Sequence, residues 1–109
     1  MKINFERTSY AIRVALTGAD GYDRVVDVDR ASDAFSALAL DIDTTAFIPL
    51  DVLFAFPRVV SVEAERRGRD DWGVEVTYWR GSAGTLGWYT THATSLAEAL
   101  ARCLRVLAD

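Results

Sequence analysis

The stretch from Ser95 to Asp109 fixes what the rest of the chain has to provide. Leu96, Leu100, Cys103, Leu104 and Leu107 recur at helical spacing and fall on one stripe. Glu98, Arg102, Arg105 and Asp109 fall mostly away from it. Ser95 followed by Glu98 fits a capping box, in which a hydroxyl and a carboxylate satisfy N–H groups that have no partner at a helix start. Ala97, Ala99, Ala101 and Ala108 raise helix propensity and permit close packing. An amphipathic helix this short is marginal alone in water, so its leucine stripe requires an apolar surface to lie on.

The residues just before it supply one. Arg58–Arg66 and Asp71–Arg80 read as strands joined through the hairpin loop Arg67-Gly68-Arg69-Asp70. Gly81-Ser82-Ala83-Gly84 makes the next turn, and Leu86–His92 is a third strand. On the middle strand Trp72, Val74, Val76 and Tyr78 share one face, the core-facing one. Gly73, Glu75, Thr77 and Trp79 share the other. On the last strand Leu86, Trp88, Thr90 and His92 oppose Gly87, Tyr89 and Thr91. Large aromatics therefore lie outside unless both faces are covered. Exposed Trp and Tyr on a sheet are favoured interface anchors. Packing of a loop or of the 50–56 segment over them is the competing arrangement, and both stay open here.

The first half carries two further strands and then a second hairpin partner. Ile3 and Phe5 alternate with Lys2, Asn4 and Glu6 in Lys2–Arg7. Tyr10, Ile12, Val14 and Leu16 alternate with Ala11, Arg13 and Ala15. Gly18-Ala19-Asp20-Gly21 is a turn signal, after which the chain returns as Tyr22–Asp29. There Val26 and Val28 share one face, and Asp23, Val25, Asp27 and Asp29 the other. Ser32 or Asp33 is placed to cap a helix from Ala34 to about Leu40, with Phe35, Leu38 and Ile42 on its face. A buried strand over Phe35–Asp43 is the alternative. Pro49 opens a short helix through Leu50, Val52, Leu53, Phe54 and Phe56 that ends before Pro57. It is apolar nearly all round, so it is either a buried connector or an exposed patch for a partner.

The expected architecture is α+β in a single domain spanning residues 1–109. It is a mostly antiparallel sheet of about five strands, with the C-terminal amphipathic helix and one or two short helices packed on it. Half of the 109 residues are apolar and 26% are charged, a folded and not a disordered composition. The lone cysteine excludes an intramolecular disulfide, and no run approaches the length of a membrane span, so a cytoplasmic location is expected. The net charge of −4 argues against direct binding of nucleic acid or an anionic membrane.

Charge is unevenly spread. From Asp20 to Asp51 there are eight Asp and two Arg, so this stretch carries −6 and the remainder +2. Asp23, Asp27 and Asp29 share strand parity, and same-face neighbours on a strand stand about 6.6 Å apart. Such a row presents a phosphate-like field to a basic partner, or serves as a solvated face that blunts an edge. Asp27, Asp29, Asp41 and Asp43 also raise an Asp-based metal-dependent enzyme as an alternative. No calcium-loop pattern, phosphate loop, dinucleotide fingerprint or zinc spacing accompanies them, and no cofactor or metal site is expected. His92 is the only histidine, Cys103 lies on the core stripe, and Ser82 lacks a nucleophile-elbow context. Arg66, Arg67 and Arg69 are offset by Glu63, Glu65, Asp70 and Asp71, which makes a mixed-charge loop and not a nucleic-acid patch.

The run Ser95-Leu96-Ala97-Glu98-Ala99-Leu100-Ala101 after two strands resembles the strand–strand–helix of HicB-like antitoxins. It covers barely a third of the chain, and the aromatic hairpin and acidic first half depart from that pattern. The residues themselves point to a non-enzymatic protein-binding module. Asp23, Asp27 and Asp29 would engage a basic partner surface, and Trp79 and Trp88 would anchor the contact. A phage-type inhibitor of a nucleic-acid-handling complex (anti-CRISPR-like) is the leading expectation. An antitoxin or immunity-type protein binding a cognate toxin is the alternative, and a homodimer through sheet edges or the 50–56 segment stays open.

Overall fold

A computed structural model describes residues 1–18, 23–81 and 84–108 of the chain. The elements in order are β1 (Lys2–Arg7), β2 (Ile12–Thr17), β3 (Asp23–Val28), α1 (Asp33–Ala37), a 3₁₀ turn (Thr44–Ala46), α2 (Phe47–Ala55), β4 (Val59–Gly68), β5 (Asp71–Arg80), β6 (Thr85–Ala93) and α3 (Leu96–Ala108). One antiparallel sheet takes the order β3-β2-β1-β4-β5-β6. It has six strands and not about five. The joining strand is β1, which pairs with β2 on one side and β4 on the other and so fuses the two hairpins.

Alternation along each strand sends one set of side chains to the helices. Ile3, Phe5, Val14, Leu16, Val62, Val74 and Val76 are buried on that side, against Phe35, Leu38, Leu50, Leu53, Leu100 and Cys103. Phe5 lies edge-on to Phe35 with ring centroids 6.0 Å apart, and 6.4 Å from Phe54. No helix among the described residues is long and apolar enough to cross a membrane.

The closing helix follows its sequence signature with one change. Leu96, Ala99, Leu100, Cys103 and Leu107 are buried, and the Glu98 N–H donates to Ser95 Oγ at 3.2 Å. The Glu98 carboxylate does not return to the Ser95 backbone. It accepts from Arg102 at 2.9 Å and from Thr94 Oγ1 at 3.4 Å, so only half of the capping box forms.

The 31–57 region forms α1, the 3₁₀ turn and α2 with a non-helical link at 38–43, and no strand forms over Phe35–Asp43. Its first helix is shorter than expected. Ala39 sits at φ 54°, and the Leu40 N–H donates back to Phe35 O at 2.7 Å, which closes the helix early. Ser32 occupies the N-cap position but gives no side-chain cap. Its hydroxyl donates instead to Asp51 Oδ2 at 2.6 Å and its N–H to Asp51 Oδ1 at 2.9 Å, tying α1 to α2.

Pro49 lies in the first turn of α2, as expected. This helix buries Leu50, Leu53 and Phe54 and leaves Ile48 and Val52 exposed, so it is half connector and half surface. Its last carbonyls have no intrahelical partner, and Arg7 supplies one. The guanidinium donates to Phe54 O, Phe56 O and Val59 O and lies 5.5 Å from the Phe54 ring centroid.

The β4–β5 pairing runs on to Gly68 and Asp71, so the hairpin loop shrinks to Arg69 and Asp70. Gly81 and Gly84 hold positive φ of 53° and 70°, fitting the expected turn, whose Ser82 and Ala83 lie outside the described residues. The same holds for Ala19, Asp20 and Gly21 of the first turn, and for Tyr22.

Candidate functional site: the open sheet face

The three helices among the described residues lie on one side, and no described element covers the other face of the sheet. Cross-strand register orders that face into rows. One runs Val25, Ala15, Asn4, Glu63, Glu75, Thr90; the next runs Asp27, Arg13, Glu6, Ser61, Thr77, Trp88. A third runs Asp23, Thr17, Lys2, Glu65, Gly73, His92, and Trp79 pairs with Leu86 at the far end.

The face is acidic. Glu6, Asp23, Asp27, Glu63, Glu65, Asp71 and Glu75 stand against Lys2, Arg13 and Arg67, a net of −4, equal to that of the whole chain. Each of those cations is already engaged. Lys2 Nζ lies 3.2 Å from Glu63 and 3.6 Å from Glu65. Arg13 Nε lies 3.1 Å from Asp27, and Arg67 Nε 2.8 Å from Glu65. Hydrogen bonding to Glu63 raises the Lys2 pKa, bonding to Asp27 raises that of Arg13, and bonding to Arg67 lowers that of Glu65. Glu75 has no ion-pair partner among the described residues, although it stands directly opposite Glu63.

One edge of the same face is apolar. Trp88 is 66% exposed, Trp79 44% and Leu86 43%, and no described residue packs over them. Thr77 lies opposite Trp88, and Thr90 lies between Glu75 and the edge. Short threonine side chains here keep both the indole and the carboxylate accessible.

The structure therefore brings four of the five expected residues, Asp23, Asp27, Trp79 and Trp88, to one face but not to one spot. Asp23 and Asp27 lie on edge strand β3, and Trp88 lies on the opposite edge strand β6. Five strand spacings of about 4.8 Å separate them, roughly 24 Å. Val25 interrupts the acidic row, and Asp27 is paired with Arg13. Asp29 falls after β3 and lines a separate cleft of about 530 Å³ with Tyr10, Arg30 and Arg7. Diagonal to Trp88 stands Glu75, with Glu63 opposite it one strand further in, and sequence reasoning did not single out either carboxylate. The signal was present as the shared parity of Glu75 and Trp79, but placing Glu63 opposite required the β4–β5 register.

Among the described residues no three His, Cys, Asp or Glu side chains come together as metal ligands, so Asp27, Asp29, Asp41 and Asp43 do not gather into a three-ligand set. His92 is on the open face, with Nδ1 4.0 Å from Asp71, while Cys103 is buried under α3 on the other side. Burial pushes the Cys103 thiol up to about 12. Comparison with protein-family models, curated proteins and solved structures finds no match.

Proposed function

We propose that this chain is a non-enzymatic protein-binding module that uses its open sheet face to occupy the basic surface of a partner protein. The observation that carries the reading is one open face that holds the opposed, incompletely neutralised Glu63 and Glu75 together with the exposed Trp88, diagonal to Glu75 across the β5–β6 pair, and with Trp79 and Leu86 beyond it. Opposed like charges cost stability in the free protein. That cost is recovered when Lys or Arg side chains arrive between them. Aromatic side chains at the rim of such a patch supply the desolvated anchor. The surface that fits is one rich in Lys and Arg next to an apolar pocket, as a nucleic-acid-handling protein presents. Inhibition of such a complex, in the anti-CRISPR manner, is the form the activity takes, with Asp23 and Asp27 steering approach from the far edge.

Affinity capture from nuclease-treated host lysate tests the reading. The wild-type chain retains a basic protein at low salt and releases it as ionic strength rises, because charge steering is screened within about 8 Å at physiological salt. Glu63→Lys with Glu75→Lys, and separately Trp88→Ala, lose it. Retention of the same protein by both variants contradicts the proposal.

A further inference from the structure

The last strand is the least defended part of the molecule. β6 lies at a sheet edge, and among the described strands it alone contains no Asp, Glu, Lys or Arg. The opposite edge strand, β3, carries Asp23, Arg24 and Asp27. Proteins protect free edges with charge, proline or bulges, and β6 has neither charge nor proline and pairs with β5 without a register shift.

Backbone direction on this edge follows from the register. The Trp79 N–H donates to Arg58 O at 2.8 Å, so the odd residues of β5 point toward β4 and the even ones toward β6. The odd residues of β6 answer them. The free N–H and C=O groups therefore belong to Leu86, Trp88, Thr90 and His92. Arg102 of α3 donates to the His92 carbonyl, which closes that end. What stays open is centred on Trp88.

We infer that β6 pairs with β6 of a second copy of this chain, antiparallel and with the two-fold axis at Trp88. In that register Trp88 meets its own counterpart and Leu86 meets Thr90. Three residue pairs then exchange two hydrogen bonds each, and each free group of Leu86, Trp88 and Thr90 is used. A second copy suits this edge because a neutral strand is compatible with itself. Stacking two open faces instead would set acid against acid across about 10 Å. Edge pairing keeps the Glu75 side chains of the two copies three or more strand spacings apart, at least about 14 Å, beyond the screening length of about 8 Å. The open faces then join into one sheet with an indole belt at its centre. A contact of one strand and a pair of tryptophans is near the low end of specific interfaces, so the dimer forms at micromolar and higher concentrations.

Sedimentation velocity on the purified chain from about 1 to 500 µM tests this without any partner. The wild-type chain shifts from monomer to dimer across that range, and hydrogen exchange at the Leu86, Trp88 and Thr90 amides slows as it does. Trp88→Lys sets two cations together at the axis and stays monomeric. Thr90→Pro removes only an edge-facing N–H, which an edge strand tolerates, and also stays monomeric with an unchanged thermal melt. Val25→Lys on the other edge still dimerises. A wild-type chain monomeric at 500 µM overturns the inference, as does a dimer that survives Trp88→Lys or leaves those amides unprotected. Either result leaves partner capture by the open face unaffected.

Discussion

Glu63 and Glu75 stand directly opposite each other on β4 and β5, two carboxylates in register on an uncovered face. Lys2 relieves Glu63 at 3.2 Å, while Glu75 looks toward Thr90. Opposed like charges on a sheet cost roughly 0.2–1 kcal/mol, and an opposed Glu–Lys pair gains a similar amount. Glu75→Lys should therefore raise unfolding free energy in urea by up to about 1 kcal/mol while weakening capture of a basic partner. A gain in stability with unchanged capture would mean that the pair is only a surface irregularity.

Ala39 adopts a left-handed conformation, with φ 54°, at the position past α1 where glycine is usual. A Cβ there costs about 1 kcal/mol. Ala39→Gly should raise the melting temperature by roughly 4 °C for a domain of this size. A lower melting temperature would show that the close of α1 is held by something other than this turn.

Asp51 holds Ser32 through two hydrogen bonds of 2.9 and 2.6 Å, and Ser32 is buried. Asp51→Ala leaves a buried N–H and hydroxyl without acceptors, at a cost of about 1–3 kcal/mol. Asp51→Asn keeps one acceptor oxygen and should fall between. Urea denaturation of both variants checks the order, and equal stability of all three proteins would remove Asp51 as the tie between α1 and α2.

Cys103 is buried beneath α3, and burial raises its thiol from 9.0 to about 12. The folded protein thus keeps a proton that the unfolded chain loses. Its contribution is complete below pH 9.0 and declines as pH rises toward 12, by at most about 1.4 kcal/mol per pH unit. Stability measured at pH 8 and pH 10.5 should fall more for the wild type than for Cys103→Ala. A thiol reagent at pH 8 should label the native chain slowly and the unfolded chain at once.

Much of this was legible from local pattern alone. Period-two alternation puts Trp72, Val74 and Val76 inward, and the leucine stripe of α3 is buried at Leu96, Leu100, Cys103 and Leu107 but only half-buried at Leu104. What local pattern does not encode is long-range pairing. The placement of β1 between two hairpins made six strands of about five, and it separated Asp23 and Asp27 from Trp88 by the width of the sheet. Ser32 was a reasonable cap by residue type, but Asp51 lies nineteen positions on and outcompetes the local bond. The exposure of Trp79 and Trp88 turned on whether the 50–56 segment crossed to the open face, which strand parity leaves undetermined.

On the proposed function, contact with the partner is confined to the open sheet face. Amide chemical-shift mapping of the labelled chain with its captured partner addresses this most directly. Contact through that face should shift Glu63, Glu75, Thr77, Trp88 and Thr90 and leave the exposed helical positions Ile48, Val52 and Val106 in place. Shifts confined to those helical positions, with the open sheet face silent, would contradict it.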